Sequence, residues 1–130
     1  MYCTRKLTEQ VWWVGGSDRR LALFENLFPI TRGVSYNSYL ILDEQTAVVD
    51  TVDSSISRQF LENVLHTLDD RPLDYLVINH MEPDHGACIE EILLRYPQVQ
   101  IISTEKAFLL MRQFGFDVDS HPCITVAEGD

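Results

Sequence analysis

The sequence predicts a layered α/β (α+β) domain in which a mixed sheet is flanked by helices. Three observations support this fold class. Two β-rich runs around a short polar turn predict an antiparallel hairpin, and further along the chain apolar strands alternate with amphipathic helices. Hydrophobic residues make up 45% of the 130 residues, which is a globular proportion and is enough for one core.

The first part of the chain has strand character. The aromatic and β-branched run VWWVG (11–15) predicts a strand, whereas LALFENLF (21–28) fits either a strand or a short helix. The runs SYNSYLIL (35–42) and TAVVDTV (46–52) lie on either side of the polar residues DEQ. This pair therefore predicts the antiparallel hairpin.

A helix is predicted after the hairpin, within DSSISRQFLENVLHTLDD. Ser54 or Ser55 is the expected N-cap. His66 falls on the polar side, so we expect it at the surface. The helical period places six apolar residues on or beside one face: Ile56, Phe60, Leu61, Val64, Leu65 and Leu68.

The second half of the chain contains three apolar strands. The run DYLVINH (74–80) is apolar without alternation, as in strands that are covered on both faces, and VQIIST (99–104) and CITVA (123–127) predict two further strands. The final residues EGD predict a turn, and no strand follows it. We therefore expect this fold to continue beyond the residues given.

Helices are predicted between these strands. GACIEEILLRY (86–96) ends before Pro97, and TEKAFLLMRQFGF (104–116) can stop at Gly115. One face of the second helix is predicted to be apolar, with Ala107, Leu110, Met111 and Phe114.

Composition excludes some partners. Twenty acidic and ten basic residues give a net charge of -10, which disfavours nucleic acid. No apolar run is long enough to span a membrane, and the N-terminus does not resemble a signal peptide, so we expect no membrane association and a cytoplasmic location. Cys3, Cys88 and Cys123 form no CxxC pair, so we expect no disulfide, with two thiols in the core and one near the terminus.

The main functional signal is the segment NHMEPDH (79–85), which directly follows the apolar run DYLVI. Ligands gather at the carboxyl ends of strands in α/β sheets, and this segment lies at such an end. The alternative is a plain polar turn, in which Asp84 caps the next helix and Glu82 is solvated. The position after a buried strand favours a metal site over that turn.

The spacing of the ligands predicts two neighbouring metals. Pro83 keeps Glu82 extended, and residues two apart in an extended segment point the same way, so Glu82 and His80 can reach one metal. Asp84 and His85 lie beyond the proline and can face a second metal. Imidazole mixed with carboxylate suits iron and manganese, although zinc also accepts this set.

The segment HMEPDH resembles the HxExDH signature of the flavodiiron proteins, also called A-type flavoproteins. Hydrolases of the metallo-β-lactamase superfamily are similar but carry histidine at the position of Glu82. The stretches 11–53 and 73–93 also look like this family, and the likeness extends over essentially the whole chain.

The resemblance implies a metallo-β-lactamase-like αββα sandwich, of which residues 1–130 would be about one half. It also implies a non-haem di-iron centre (two Fe) that reduces dioxygen to water or nitric oxide to nitrous oxide. His80 and Glu82 would bind one iron, and Asp84 and His85 the other. Electrons would come from FMN in a C-terminal flavodoxin-like domain that this chain lacks, often supplied by rubredoxin.

The resemblance further implies that the remaining iron ligands lie beyond this chain. They are a second histidine for each iron and a bridging aspartate, and His121 does not fall in that pattern. We read His121 as a loop residue beside Pro122. With two protein ligands per iron, the chain alone is expected to bind iron weakly or not at all and to be inactive.

Half a sandwich would also leave an apolar sheet face uncovered, so we expect self-association into a homo-oligomer. Three alternatives to the reductase stay open from the sequence. The chain could belong to an oxygen-sensing di-iron binding protein without flavodoxin, to a zinc hydrolase of the same superfamily, or to an inert remnant of a truncated gene. Glu82 argues against the hydrolase, because the middle histidine of the hydrolase motif is missing.

Overall fold

The computed structural model describes residues 3–18, 23–24, 28–29, 34–79, 81 and 88–129. The strands in these residues are β1 (Arg5–Lys6), β2 (Val11–Trp13), β3 (Gly16–Asp18), β4 (Leu23–Phe24), β5 (Phe28–Pro29), β6 (Val34–Tyr36), β7 (Tyr39–Leu42), β8 (Thr46–Val49), β9 (Tyr75–Val77), β10 (Gln100–Ser103) and β11 (Cys123–Thr125). The helices are α1 (Ser57–Leu68), α2 (Ile89–Arg95) and α3 (Glu105–Gln113), and a 3₁₀ turn at Ser54–Ile56 precedes α1.

Within the described ranges, seven strands form one mixed sheet in the order β1-β2-β7-β8-β9-β10-β11. The pairs from β1 to β8 are antiparallel, whereas β8, β9, β10 and β11 run parallel. Strand β8 therefore has an antiparallel neighbour on one side and a parallel neighbour on the other. Helices α1, α2 and α3 occupy the three crossovers that the parallel strands require. The predicted mixed sheet with flanking helices is confirmed.

The hairpin predicted around DEQ is present as β7 and β8. Leu40 pairs with Val48 and Leu42 with Thr46. The ambiguous run LALFENLF contributes two short strands, β4 and β5, which pair antiparallel, and its other residues lie outside the described part of the chain. β3 pairs with β6 as a second small ribbon.

One face of the main sheet is fully buried in its four central strands, β7 to β10. Leu40, Val48, Leu76 and Ile101 occupy paired positions on four adjacent strands, and each is 0% exposed. They belong to the same core cluster as buried residues of the three helices, among them Phe60, Val64, Ile89, Ile92 and Met111. The helices therefore pack on this face.

The opposite face of the main sheet is apolar but only half-buried. Because side chains alternate along a strand, the residues between the buried ones point to this other face. They are Val11, Trp13, Tyr39, Ile41, Ala47, Val49, Val77 and Ile102. We call this set the open sheet face.

Helix α1 follows its predicted pattern with two differences. The predicted N-cap at Ser54 or Ser55 is wrong, because the Asp53 carboxylate accepts the Ser55 N–H at the start of the 3₁₀ turn. Leu65 is 56% exposed, so it lies off the buried face. His66 is exposed, as predicted.

The second and third helices are shorter than predicted but lie in the expected places. Thr104 caps α3 by accepting the Ala107 N–H, and Gly115, with φ of 86°, follows the end of the helix. Phe114 is 61% exposed, so its predicted place on the buried face is wrong. None of the helices in the described part of the chain is long and apolar enough to cross a membrane.

The cysteines differ from the prediction. Cys88 is fully buried, whereas Cys3 and Cys123 are both exposed, and all three thiols are free. The expectation of two core thiols was therefore wrong for one position. Cys123 is exposed because β11 is the last strand in the order of the sheet and carries no further described strand beside it.

Candidate metal centre

The four predicted ligands His80, Glu82, Asp84 and His85 all lie outside the described residues. Their mutual geometry therefore stays a prediction. What the structure describes is the frame around them, namely Asn79 and Met81 on either side of His80, and Cys88 at the far end of the segment.

The near end of the segment is attached to Asp50. The backbone N–H of Asn79 donates to Asp50 Oδ1 at 2.7 Å, and the Asn79 side-chain amide lies 3.3 Å from Oδ2. Met81 is 8% exposed and belongs to the hydrophobic core. The two neighbours of His80 in the sequence are therefore held in place, one by hydrogen bonds and the other by burial.

Beyond the far end of the segment, Cys88 contacts Thr51, the residue that follows Asp50. The Cys88 N–H donates to Thr51 Oγ1 at 3.3 Å, and both residues are fully buried. The Cys88 thiol also lies 4.0 Å from the carbonyl oxygen of Asp53. Residues that follow β8 thus contact the chain on both sides of the four proposed ligands, at Asn79 and at Cys88.

Asp50 adopts an unusual backbone conformation. Its φ is 61°, in the left-handed region that residues other than glycine rarely occupy, and its side chain is 6% exposed. The main chain there is held by two hydrogen bonds of 2.7 Å, from the Asp50 N–H to Val77 O and from Ser38 Oγ to Asp50 O. Buried strain of this kind concentrates at functional sites.

This frame lies at the carboxyl ends of the parallel strands. β8 ends at Val49, directly before Asp50, and β9 ends at Val77, two residues before Asn79. At the end of β10, Ser103 Oγ donates to the carbonyl oxygen of Ile78 at 2.7 Å. The site is therefore at the edge of the sheet where α/β proteins place their ligands.

Sequence reasoning missed Asp50 and Thr51 as parts of this frame. The available signal was the run VVDTVD, in which an aspartate directly follows an apolar strand in the same way as NHMEPDH does. Two strands that end in polar residues are expected to bring those residues together when the strands are parallel neighbours. The pairing of β8 with β9 was needed to see this.

The donor set fits iron by its chemistry. Two imidazoles and two carboxylates are ligands that non-haem iron accepts. Cys88 is unsuitable as a further metal ligand, because thiols bind metals as thiolates. Burial, and secondarily the charge of Glu91, raises the pKa of its thiol to about 12. In the part of the chain that the structure covers, no group of three His, Cys, Asp or Glu residues is placed to hold a metal.

His121 lies in a bend before β11, as predicted for a loop residue. It lines a cavity of about 290 Å³ together with Glu90, Leu93, Leu94 and Asp117. Its Nδ1 is buried and finds no hydrogen-bond partner among the described residues.

Comparison with known proteins identifies the family. A family model described as ODP family beta lactamase matches residues 34–130. The chain belongs to this family. The matched residues of this ODP-family chain include the hairpin, the three helices, Asp50 and the whole predicted metal segment.

Curated relatives of this ODP-family chain are longer proteins. An anaerobic nitric oxide reductase flavorubredoxin from Aliivibrio fischeri is 40% identical over 105 residues, which are 80% of this chain and 21% of the relative. A protein of the same name from Klebsiella pneumoniae is 40% identical over 98 residues, covering 75% of this chain and 20% of the relative. The chain thus spans about a fifth of these relatives.

Solved structures share the fold of this ODP-family chain. Rubredoxin oxygen:oxidoreductase from Desulfovibrio gigas has a TM-score of 0.89 and 25% identity, over 98% of this chain and 32% of that one. The flavodiiron protein from Giardia intestinalis has a TM-score of 0.86 and 24% identity, over 98% and 31%. These findings confirm the predicted resemblance to flavodiiron proteins and the metallo-β-lactamase-like fold class.

Proposed function

We propose that this chain is the N-terminal portion of a flavodiiron oxidoreductase that reduces dioxygen to water or nitric oxide to nitrous oxide. The supporting observation is the donor segment HMEPDH, which follows β9 and is flanked by Asn79 and Cys88, whose backbone N–H groups donate to Asp50 and Thr51 after β8. The names of the relatives agree with both reactions, since one is a nitric oxide reductase and another is an oxygen:oxidoreductase.

In this proposal His80 and Glu82 hold one iron, and Asp84 and His85 hold the other. The bound irons supply the redox chemistry on the gas. The protein's own contribution is to present the donors in a fixed place, because metal affinity depends on ligands that are already oriented. Glu82 provides an anionic oxygen where the related hydrolases have histidine, which favours iron over zinc.

Electron supply belongs to the same proposal. FMN would be bound in a flavodoxin-like domain of the full-length protein, and rubredoxin or a similar carrier would reduce it. The name flavorubredoxin, borne by the curated relatives, supports a flavin and a rubredoxin-type donor. A cytoplasmic location stays a prediction, and the widely spaced cysteines fit such a reducing compartment.

The homo-oligomer is also proposed. Its support is the open sheet face, which carries eight apolar residues that are only half-buried. A contiguous apolar patch that stays partly accessible favours an interface between copies of the chain.

Paramagnetic NMR tests the metal site even if binding is weak. Manganese(II) accepts the same imidazole and carboxylate donors and broadens the signals of nearby nuclei. We expect the amide signals of Asn79, Met81 and Cys88 to broaden at lower manganese(II) concentration than signals at the opposite end of the strands, such as that of Thr46. Broadening without preference for this end would contradict the proposed centre.

A pair of histidine variants makes this test specific. His80→Ala removes a proposed ligand, whereas His66→Ala removes an exposed histidine of α1. We expect the manganese(II) affinity obtained from this local broadening to fall at least about tenfold in His80→Ala, because loss of even an outer partner of a metal ligand costs about 10- to 100-fold in affinity. His66→Ala should leave it unchanged. Equal behaviour of the two variants would refute the role of His80.

A further inference from the structure

The cavity of about 290 Å³ beside His121 lies between α2 and the loop that leads from α3 into β11. Helix α2 contributes Glu90, Leu93 and Leu94 to its lining, and the loop contributes Asp117 and His121. The proposed function assigns no role to any of these residues. A concave site that combines apolar and polar side chains is the usual form of a ligand site.

The loop wall of this cavity is held in shape by its own contacts. Val118 is fully buried, and its carbonyl oxygen accepts the N–H of His121 at 3.1 Å. The Ser120 hydroxyl donates to the Asp117 carboxylate at 2.9 Å. The cavity is therefore formed before any ligand enters it, which reduces the entropy that binding would cost.

The charge of the cavity favours a cation. Glu90 and Asp117 bring two carboxylates to it, and none of its described lining residues is a lysine or arginine. Arg112, at the end of α3, is already paired, since it donates to the Asp119 carboxylate at 3.0–3.2 Å. Because no three His, Cys, Asp or Glu residues in the described ranges are placed to hold a metal, the geometry favours an organic cation.

The remaining lining favours a cation with an alkyl stem and several N–H groups. Leu93 is buried beneath the surface, whereas Leu94 is 82% exposed and offers apolar surface that a stem could cover. His121 Nδ1 is buried and has no partner among the described residues, and a neutral imidazole nitrogen can accept from an N–H donor. An arginine side chain supplies both features, since its guanidinium carries five N–H donors.

We propose that this cavity binds an arginine side chain that projects from a partner protein. The guanidinium lies between Glu90 and Asp117, and its stem covers Leu94. The volume suits one side chain, since it is at the lower end of the range for ligand sites. Free arginine fits less well, because its α-carboxylate would approach two carboxylates, whereas an arginine within a polypeptide has no such charge.

NMR titration of the full 130-residue chain with N-acetylarginine amide tests the proposal. We expect saturable shifts of the Leu93 and Leu94 methyl signals and the His121 ring signals, with a Kd of roughly millimolar for a probe of this size. N-acetylcitrulline amide, which has the same shape but no charge, and free arginine should each bind at least about threefold more weakly. Equal binding of the citrulline probe would overturn the role of charge, and equal binding of free arginine would overturn the assignment to a protein-borne side chain.

Two matched pairs of variants locate the binding. Glu90→Gln and Glu105→Gln each change an exposed glutamate in the first turn of a helix, and Leu94→Ser and Leu109→Ser each change an exposed leucine. We expect the first member of each pair to weaken the arginine probe at least about threefold, and the second to leave it unchanged. Equal affinities within either pair would overturn the proposal. Shifts of the same signals with zinc chloride but not with the arginine probe would also overturn it, because the cavity would then be a metal site.

Discussion

Asn63 Nδ2 donates a hydrogen bond of 2.9 Å to the carbonyl oxygen of Val14, across 49 residues of sequence. The same nitrogen lies 3.2 Å from the carbonyl oxygen of Gly15, and Asn63 Oδ1 accepts the N–H of Cys3. Asn63 is fully buried in α1. One side chain thus attaches the N-terminal segment to the first helix.

We expect Asn63→Ala to lower the free energy of unfolding by about 2–3 kcal/mol, because it leaves buried backbone groups without their partner. Urea denaturation measures this. Leu65→Ala on the same helix is the control, since Leu65 is 56% exposed and its truncation should cost about 0.5 kcal/mol or less. Equal losses in the two variants would show that the buried amide has no special role.

A close backbone approach at Gly15 gives a second prediction. A Cβ on Gly15 would lie 1.9 Å from the carbonyl oxygen of Tyr36, whereas a Cβ on Gly16 would lie 2.9 Å from the end of the Ile56 side chain. Backbone cannot yield as a side chain can, so Gly15→Ala should destabilise the fold by about 3 kcal/mol or more. Gly16→Ala should cost clearly less. Thermal unfolding of the two variants compares them, and a reversed order would contradict this reading.

The buried thiol of Cys88 makes stability depend on pH. Burial raises its pKa from 9.0 to about 12, so an unfolded chain loses this proton at lower pH than the folded chain does. The folded state then binds more protons than the unfolded state between about pH 9 and pH 12, and stability falls as pH rises through that window. Cys88→Ala should make the fall shallower in urea titrations at pH 8 and pH 10. Cys3→Ala, which changes an exposed thiol, is the control. If stability falls equally steeply with pH in Cys88→Ala and Cys3→Ala, the Cys88 thiol is not the cause.

The open sheet face predicts self-association. Val49 lies at its centre, paired with Tyr39 on one side and Val77 on the other. We expect the wild-type chain to sediment as oligomers at high concentration, and Val49→Glu to weaken this because a carboxylate is costly to bury. Leu65→Glu, on the helix side, should not change it. A clean wild-type monomer at high concentration would contradict the prediction.

The proposed metal centre also predicts a low iron content for this chain alone. Two protein ligands per iron leave most coordination positions to water, so affinity is low. Anaerobic reconstitution followed by metal analysis should give well below two irons per chain, without rubredoxin-driven or NADH-driven oxygen consumption. Two tightly held irons in the absence of a partner would show that more ligands are available than we propose.

Local patterns in the sequence were sufficient to predict most of the strands and helices. The alternation of apolar and turn residues predicted the hairpin of β7 and β8, and the helical period predicted α1 and α3. The failures at Leu65 and Phe114 have one cause. Each residue fits an apolar stripe, but only the position of the neighbouring sheet decides where the stripe ends, and both side chains are exposed.

Long-range polar contacts could not be read from the sequence. Asn63 looked like an ordinary polar residue of a helix, and Asp50 looked like the end of a strand. Each acquires its role from a partner that lies 49 or 29 residues away. The ligand types of the metal segment were visible because they lie within six residues of sequence, whereas the residues that contact its surroundings follow another strand.

Two aspartates connect β8 and β9 at opposite ends, since the Asp50 carboxylate accepts the Asn79 N–H and the Asp74 carboxylate accepts the Thr46 N–H. These contacts have a consequence for folding accuracy. Both faces of these strands are apolar, with Val48 and Leu76 on one side and Val49 and Val77 on the other. A shift of one residue would exchange the two faces at little hydrophobic cost, so apolar patterning alone barely specifies the alignment. Such a slip would break the carboxylate contacts at both ends at once. The contacts of Asp50 and Asp74 therefore favour a single alignment of the two central strands.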